Sequence, residues 1–252
     1  MARKSRTKKD RQIIELQEVL YNNIEAKKDG PQKKTWSLHD LKSIKPLTFA
    51  QKHMFKSYFE DLNIVASGTA GTGKSYCGIY LALTDFLKPN SKYDRIIIVR
   101  STVQTRSMGF LPGDANEKCE PFEAPYKDIF SDLLGKNDAY EILKEQKKVV
   151  FMPTSFIRGL TWDNCIVIVD EVQNLTAHEI NSIMTRIGND CKFILCGDTS
   201  QNDLIQNKND VSGFADALKI LAKIESVDIV NFTIHDIVRS KFVREWIAAC
   251  EG

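Results

Sequence analysis

Residues 68 to 75 read GTAGTGKS, which fits G-x-x-x-x-G-K-[ST], the spacing of a loop that cradles phosphates. Across Gly68, Thr69, Ala70, Gly71, Thr72 and Gly73 the glycines allow a tight curl that turns successive backbone N–H groups toward a pyrophosphate. Lys74 then reaches the β- and γ-phosphates, and the Ser75 hydroxyl sits on Mg²⁺. A second group of residues supplies acids. In IVIVDEVQ, four β-branched residues deliver Asp170 and Glu171 together, two adjacent carboxylates that need a cation if their strand is buried. Asp170 fits the magnesium-side acid, and Glu171 fits the base that polarises an attacking water. A third group, KFILCGDTSQNDL, releases Gly197, Asp198, Thr199 and Gln201 after an apolar run, with Gln201 placed to report the γ-phosphate. Water as acceptor makes the expected chemistry hydrolysis of a nucleoside triphosphate.

These groups need a scaffold that brings their ends together. A phosphate loop is meaningful only where a strand enters it and a helix leaves it. Leu62, Ile64, Val65 and Ala66 read as the entering strand, while Tyr76, Ile79, Tyr80, Leu83 and Leu87 recur at helical spacing beyond it. Further strands are expected at 96–100, 149–153, 166–170, 193–196 and 227–232, alternating with amphipathic helices. That alternation implies an α/β fold, a mostly parallel sheet with helices on both faces and ligands at the carboxyl ends of its strands. Residues 101 to 125, rich in Gly, Pro and charge, read as a long functional loop. Residues 1–45 read as a basic extension with one helical stretch at 13–24, and 46–252 as the nucleotide domain.

Composition narrows the class. With 27% charged and 42% hydrophobic residues in 252, the chain suits one soluble α/β domain plus extensions. No apolar run is long enough to span a bilayer, and MARKSRTKKDRQ lacks the apolar core of a signal peptide, so a cytoplasmic protein is expected. The cysteines at 77, 119, 165, 191, 196 and 250 form no C-x-x-C pair and read as reduced core thiols. Histidines 39, 53, 178 and 235 lack metal-ligand spacing, so no structural zinc is expected. Arg3, Lys4, Arg6, Lys8, Lys9 and Arg11 form a basic arm that either binds phosphate backbones or remains a solvated tail.

The series GTAGTGKS, GFLPGD, FIRGLTW, IVIVDEVQN, TRIG, CGDTSQNDL and HDIVRS resembles the PhoH family over roughly residues 46 to 250. Small departures are Thr69 in GTAG, Val172 in DEVQ and Ser101 where a proline is usual. The resemblance implies a three-layer RecA-like P-loop domain similar to the motor core of superfamily-1 helicases. It also implies ATP hydrolysis, coupling to RNA or DNA unwinding, and a ring-shaped homo-oligomer, a hexamer on the family's pattern. It places Gln51, in LTFAQ, at the adenine edge; the alternative is an exposed glutamine at a helix start.

Because the chain reads as too short for a second motor domain, a neighbouring subunit is expected to supply an arginine to the transferred phosphoryl group. Arg239 in HDIVRS and Arg186 in TRIG lead, with Arg158 third. Arg100, Arg106, Phe110, Arg158 and Trp162 are the candidate nucleic-acid contacts. The two aromatics are either stacking platforms for single strands or packing anchors. The leading reading is an ATPase acting on single-stranded RNA or DNA. A nucleotide-regulated assembly or protein-remodelling ATPase is the alternative. A small-molecule kinase is disfavoured by Glu171 and Gln201, which suit water activation.

Overall fold

The computed structural model describes residues 35–101, 115–157, 159–198 and 212–251. Within them six strands form one sheet: β1 (Asn63–Gly68), β2 (Arg95–Arg100), β3 (Val149–Pro153), β4 (Cys165–Asp170), β5 (Lys192–Gly197) and β6 (Val227–Phe232). Their order across the sheet is β3-β2-β4-β5-β1-β6, and every pairing is parallel. The sheet is thus wholly parallel, and all its strands end on one edge. Side chains alternate across each strand, so each face needs its own cover. Along β4, Val167 and Val169 join one core cluster, while Ile166 and Ile168 join the other. All six residues of β4 are buried, as expected of a central parallel strand.

The helices build the outer layers. One face is covered by α1 (Phe49–Phe59), α2 (Lys74–Phe86), α3 (Ala115–Leu134) and α4 (Ala139–Glu145), through Met54, Tyr58, Leu83, Tyr126, Phe130 and Tyr140. The opposite face is covered by α5 (Ala177–Met184) and α6 (Phe214–Leu221), through Ile180, Ile183, Phe214 and Leu221. The last helix is α7 (Lys241–Glu251). This is the three-layer, RecA-like α/β arrangement. Thr48 caps α1 by accepting from the Gln51 N–H, and Thr176 with Glu179 forms a capping box on α5.

Two segments differ from the sequence expectation. From Ala115 onward, the stretch expected to be an irregular loop is helical. Pro121 and Pro125 obscured it, since an interior proline removes a helix hydrogen bond and costs about 3 kcal/mol. Burial of Tyr126, Phe130, Leu133 and Leu134 on one helical stripe offsets that loss at about 1.5–3 kcal/mol per side chain. Residues 36–44, assigned in sequence to the extension, also pack on the body. Trp36, Leu41 and Ile44 lie against the α2–α3 core, and the Lys42 N–H donates to the Leu133 carbonyl at 2.8 Å. The basic arm and the helical stretch at 13–24 lie outside the described residues. Among the described residues five cysteines are free thiols; Cys165, which opens β4, and Cys191, just before β5, bring their sulfurs within 3.4 Å.

Candidate nucleotide site

The phosphate loop joins β1 to α2, and two of its glycines are dictated by geometry. Gly68 has φ +124°, and a Cβ there would lie 1.9 Å from the Phe232 carbonyl oxygen on β6. Gly73 has φ +83° and forms the left-handed N-cap of α2. The helix therefore begins at Lys74 with its amino end facing the loop, a natural anion site. Lys74 Nζ donates to the Gly68 carbonyl at 2.6 Å and the Thr69 carbonyl at 2.7 Å, which holds the ammonium over the loop. Burial pushes the Lys74 pKa below the usual lysine value, against the opposing pull of Asp198, Glu171 and Asp170.

Asp170 and Glu171 arrive at the end of β4, separated from β1 by β5 alone. Ser75 Oγ donates to Asp170 Oδ1 at 2.7 Å, and Tyr126 donates to Asp170 Oδ2 at 2.9 Å. Glu171 has a left-handed backbone at φ +54°, an unfavourable conformation for a side-chain-bearing residue outside a turn. That conformation ends the strand and starts the short 3₁₀ turn Val172–Asn174. Gln173 Nε2 donates to Glu171 Oε2 at 2.5 Å, while its Oε1 accepts from the Asp198 N–H at 3.0 Å. Gln173 thereby couples the ends of β4 and β5. Burial, then the neighbouring Asp170 charge, raises the Glu171 pKa, which makes it a stronger base than a solvated glutamate.

A cavity of about 620 Å³ opens between these groups, lined by the loop, Arg100, Tyr126, Asp170, Glu171 and Arg239. A second cavity of about 520 Å³ adjoins it on the far side of the loop, sharing Gly71, Gly73, Tyr76 and Arg239, and walled by Ile44, Leu47, Gln51 and Val238. The more apolar second space suits a base, and the first suits phosphates. Gln51 is only 3% exposed, so it is not a surface glutamine. Its Nε2 donates to the Thr72 carbonyl at 2.9 Å and its Oε1 accepts from the Leu47 N–H at 2.8 Å. One amide N–H and the oxygen thus clamp the loop to the start of α1, and Gln51 lines the second cavity, the space that suits a base.

Arg239, expected as an arginine supplied to a neighbour, lies against its own chain's phosphate loop, with Cγ 3.1 Å from where a Gly71 Cβ would stand, and lines the phosphate cavity. Asp236, which sequence reasoning missed, sets this up. Its Oδ2 accepts from the Thr233 N–H and hydroxyl, both at 3.0 Å, and its Oδ1 accepts from the Ala50 N–H at 3.2 Å. The turn so fixed lets the Val238 N–H donate to the Gly71 carbonyl at 3.1 Å. An aspartate three residues after a threonine was the available signal, the capping pattern of a helical turn.

The remaining candidates separate. Arg186 is half-buried, donates Nη1 to the Leu160 carbonyl at 3.2 Å and does not line its own chain's cavity. Arg100, expected at nucleic acid, is instead in the phosphate cavity, in register with Asp170 at the sheet edge. Trp162, weighed as a stacking platform or a packing anchor, is 1% exposed and belongs to the core beneath α5, the place of an anchor. Gln201, Arg106, Phe110 and Arg158 lie outside the described residues.

The residues present fit Mg²⁺ carried on phosphates. A buried carboxylate and a hydroxyl meet beside the loop, both hard oxygen donors. No cluster of three or more metal-ligating side chains occurs among the described residues, and phosphate-borne Mg²⁺ requires none. Ser75 and Asp170 would hold it. Nor is any described helix long and apolar enough to cross a membrane.

Comparison with known proteins follows the same lines. The family described as "PhoH-like protein" matches residues 43–251. A PhoH-like protein of Bacillus subtilis (strain 168) is 36% identical over 209 residues, which cover 82% of this chain and 64% of the relative. Protein PhoH of Escherichia coli (strain K12) is 36% identical over 202 residues, covering 79% of this chain and 56% of its own length. The chain thus spans less than two thirds of either relative. Among solved structures, a Pif1 helicase from Candida albicans aligns with a TM-score of 0.36 and 16% identity over 75% of this chain and 41% of that one.

Proposed function

The chain belongs to the PhoH-like family, and on that premise we propose that it hydrolyses ATP with Mg²⁺ as a ring-forming motor acting on single-stranded RNA or DNA. One observation carries the hydrolytic part: Ser75 of the phosphate loop meets Asp170 at 2.7 Å, with the more basic Glu171 next in sequence. An acid paired to the loop serine, followed by a base facing the same cavity, is the arrangement that activates water.

The chain's residues divide the work. Backbone N–H groups at the start of α2 receive the β-phosphate, and Lys74 exchanges its loop carbonyls for β- and γ-phosphate oxygens. Bound Mg²⁺ would neutralise charge on those oxygens. Glu171, aimed by Gln173, takes the proton of the attacking water. Arg239, over its own loop, offsets charge that develops on the transferred group. Arg186, which does not line its own chain's cavity, is the described candidate for a contribution to a neighbour in a homo-oligomeric ring.

The strand-binding part rests on family resemblance and the basic arm, since Trp162 is buried and Arg100 serves the phosphate cavity. Those two placements favour keeping the protein-remodelling ATPase as the second reading. Phosphate release from Mg²⁺-ATP, with and without single-stranded RNA and DNA and with Lys74→Ala as blank, tests both. Release at the level of the blank refutes hydrolysis. Release that no strand stimulates, over a range of salt and lengths, moves the conclusion to the second reading. Light scattering of the eluting species with and without nucleotide tests the ring.

A further inference from the structure

Asp170 is bonded at both oxygens, and only one of its partners belongs to the phosphate loop. Oδ1 accepts from Ser75, and Oδ2 accepts from the phenol of Tyr126 at 2.9 Å. Tyr126 stands on α3, 44 residues before Asp170, and is 1% exposed. Its ring packs against Phe151 of β3, with centroids 5.9 Å apart, and within the α2–α3 core. Phenylalanine would satisfy that packing equally well. What tyrosine adds is one hydroxyl at the carboxyl edge of the sheet, directed at the acid. The same phenol oxygen meets the Arg100 guanidinium, which can only donate, so the phenol proton is left for Asp170.

A carboxylate free at one oxygen can swing about its terminal torsion, and this one is pinned. We infer that Tyr126 is a positioning residue for the metal side of the site, holding Asp170 Oδ2 so that Oδ1 stays turned toward Ser75, where Mg²⁺ on the nucleotide would be received. Carboxylates that meet metals are commonly oriented by such outer hydrogen bonds. The inference rests on the reading of the site as an Mg²⁺-nucleotide site. It makes α3 part of the metal site although none of its residues need touch the metal.

The test compares wild type with Tyr126→Phe in the full chain, titrating a fluorescent ATP analogue first in EDTA and then at increasing Mg²⁺. With EDTA the two should bind equally, which also reports a folded loop. With Mg²⁺ the variant should need about tenfold more cation to reach half of the metal-dependent gain in affinity. Adding Tyr126→Phe to Asp170→Asn should change nothing further, because the oriented oxygen is already lost. A Tyr126→Phe titration that overlays wild type overturns the inference and leaves the nucleotide site standing. So does an equal loss of affinity with and without Mg²⁺, the mark of a role in packing or in holding Arg100 alone. Absence of nucleotide binding in wild type overturns both the inference and the reading beneath it.

Discussion

Ser75 Oγ and Asp170 Oδ1 lie 2.7 Å apart although 95 residues separate them in the chain. The pair joins the helix that leaves the phosphate loop to the strand that carries the acids. Replacing Asp170 with Asn keeps the shape and removes the charge that a cation needs. Turnover should fall by roughly 10²-fold or more, reflecting lost metal-assisted charge stabilisation, while binding in EDTA is retained. Phosphate release and nucleotide titration on the same preparation check this.

Glu171→Gln should bind Mg²⁺-ATP normally and lose about 10²–10⁴-fold in turnover, the usual contribution of a general base. Because burial and Asp170 raise the Glu171 pKa, the base is protonated over a wider acid range. Turnover of wild type should therefore decline as pH falls through a value above that of an ordinary glutamate. The Gln173 hydrogen bond opposes that rise, so Gln173→Ala should move the acid limb of the rate profile to still higher pH. A limb that stays in place, or moves down, contradicts the assignment.

Arg239 belongs to its own loop in this fold, which sets up a mixing experiment. Arg239→Ala and Lys74→Ala should each be inactive, and their mixture should remain inactive, because neither chain contains a whole site. A mixture of Arg186→Ala with Lys74→Ala should instead regain part of its turnover if Arg186 serves a neighbour. Recovery in the first mixture would place Arg239 in trans.

Gly68→Ala puts a methyl group 1.9 Å from the Phe232 carbonyl oxygen at φ +124°. The strain and steric clash should destabilise the fold by roughly 3–5 kcal/mol. A thermal melt that shifts by no more than a degree or two would show that β1 and β6 can separate there without loss.

Asp236→Ala removes the acceptor for the Thr233, Ala50 and Thr48 hydrogen bonds and should destabilise the protein by about 1–3 kcal/mol. The hydrogen bonds from Thr233, Thr48 and Ala50 outweigh burial and lower the Asp236 pKa in the fold. Its contribution is thus complete above the ordinary carboxylate value and is lost as pH falls through the lower folded value. Denaturation of wild type and variant should converge over that acid interval. A difference that widens toward low pH would refute the hydrogen-bond account.

Much of the fold was legible because strand runs and loop chemistry are local properties. All six strands were expected within a residue or so of where they lie, and the parallel sheet follows from their alternation with helices. The α3 helix was not, because Pro121 and Pro125 are local breakers whose effect is overridden by distant partners such as Phe151. Gln173 and Tyr126 were missed as members of the site for a related reason. A glutamine or tyrosine carries no chemical signature until its partner is known.

By itself, the sequence determined the phosphate loop, the acid pair and the alternation that must bring both to one sheet edge. Each is written in adjacent residues, through glycine's backbone freedom, paired charge and hydrophobic period. Only tertiary structure decided which side chains share a space. It buried Trp162, turned Arg100 inward, bonded the Gln51 amide to the loop backbone and laid Arg239 over its own chain's site. Those outcomes depend on contacts between segments tens to hundreds of residues apart, where burial and hydrogen-bond satisfaction, rather than local pattern, choose among the orientations a side chain can adopt.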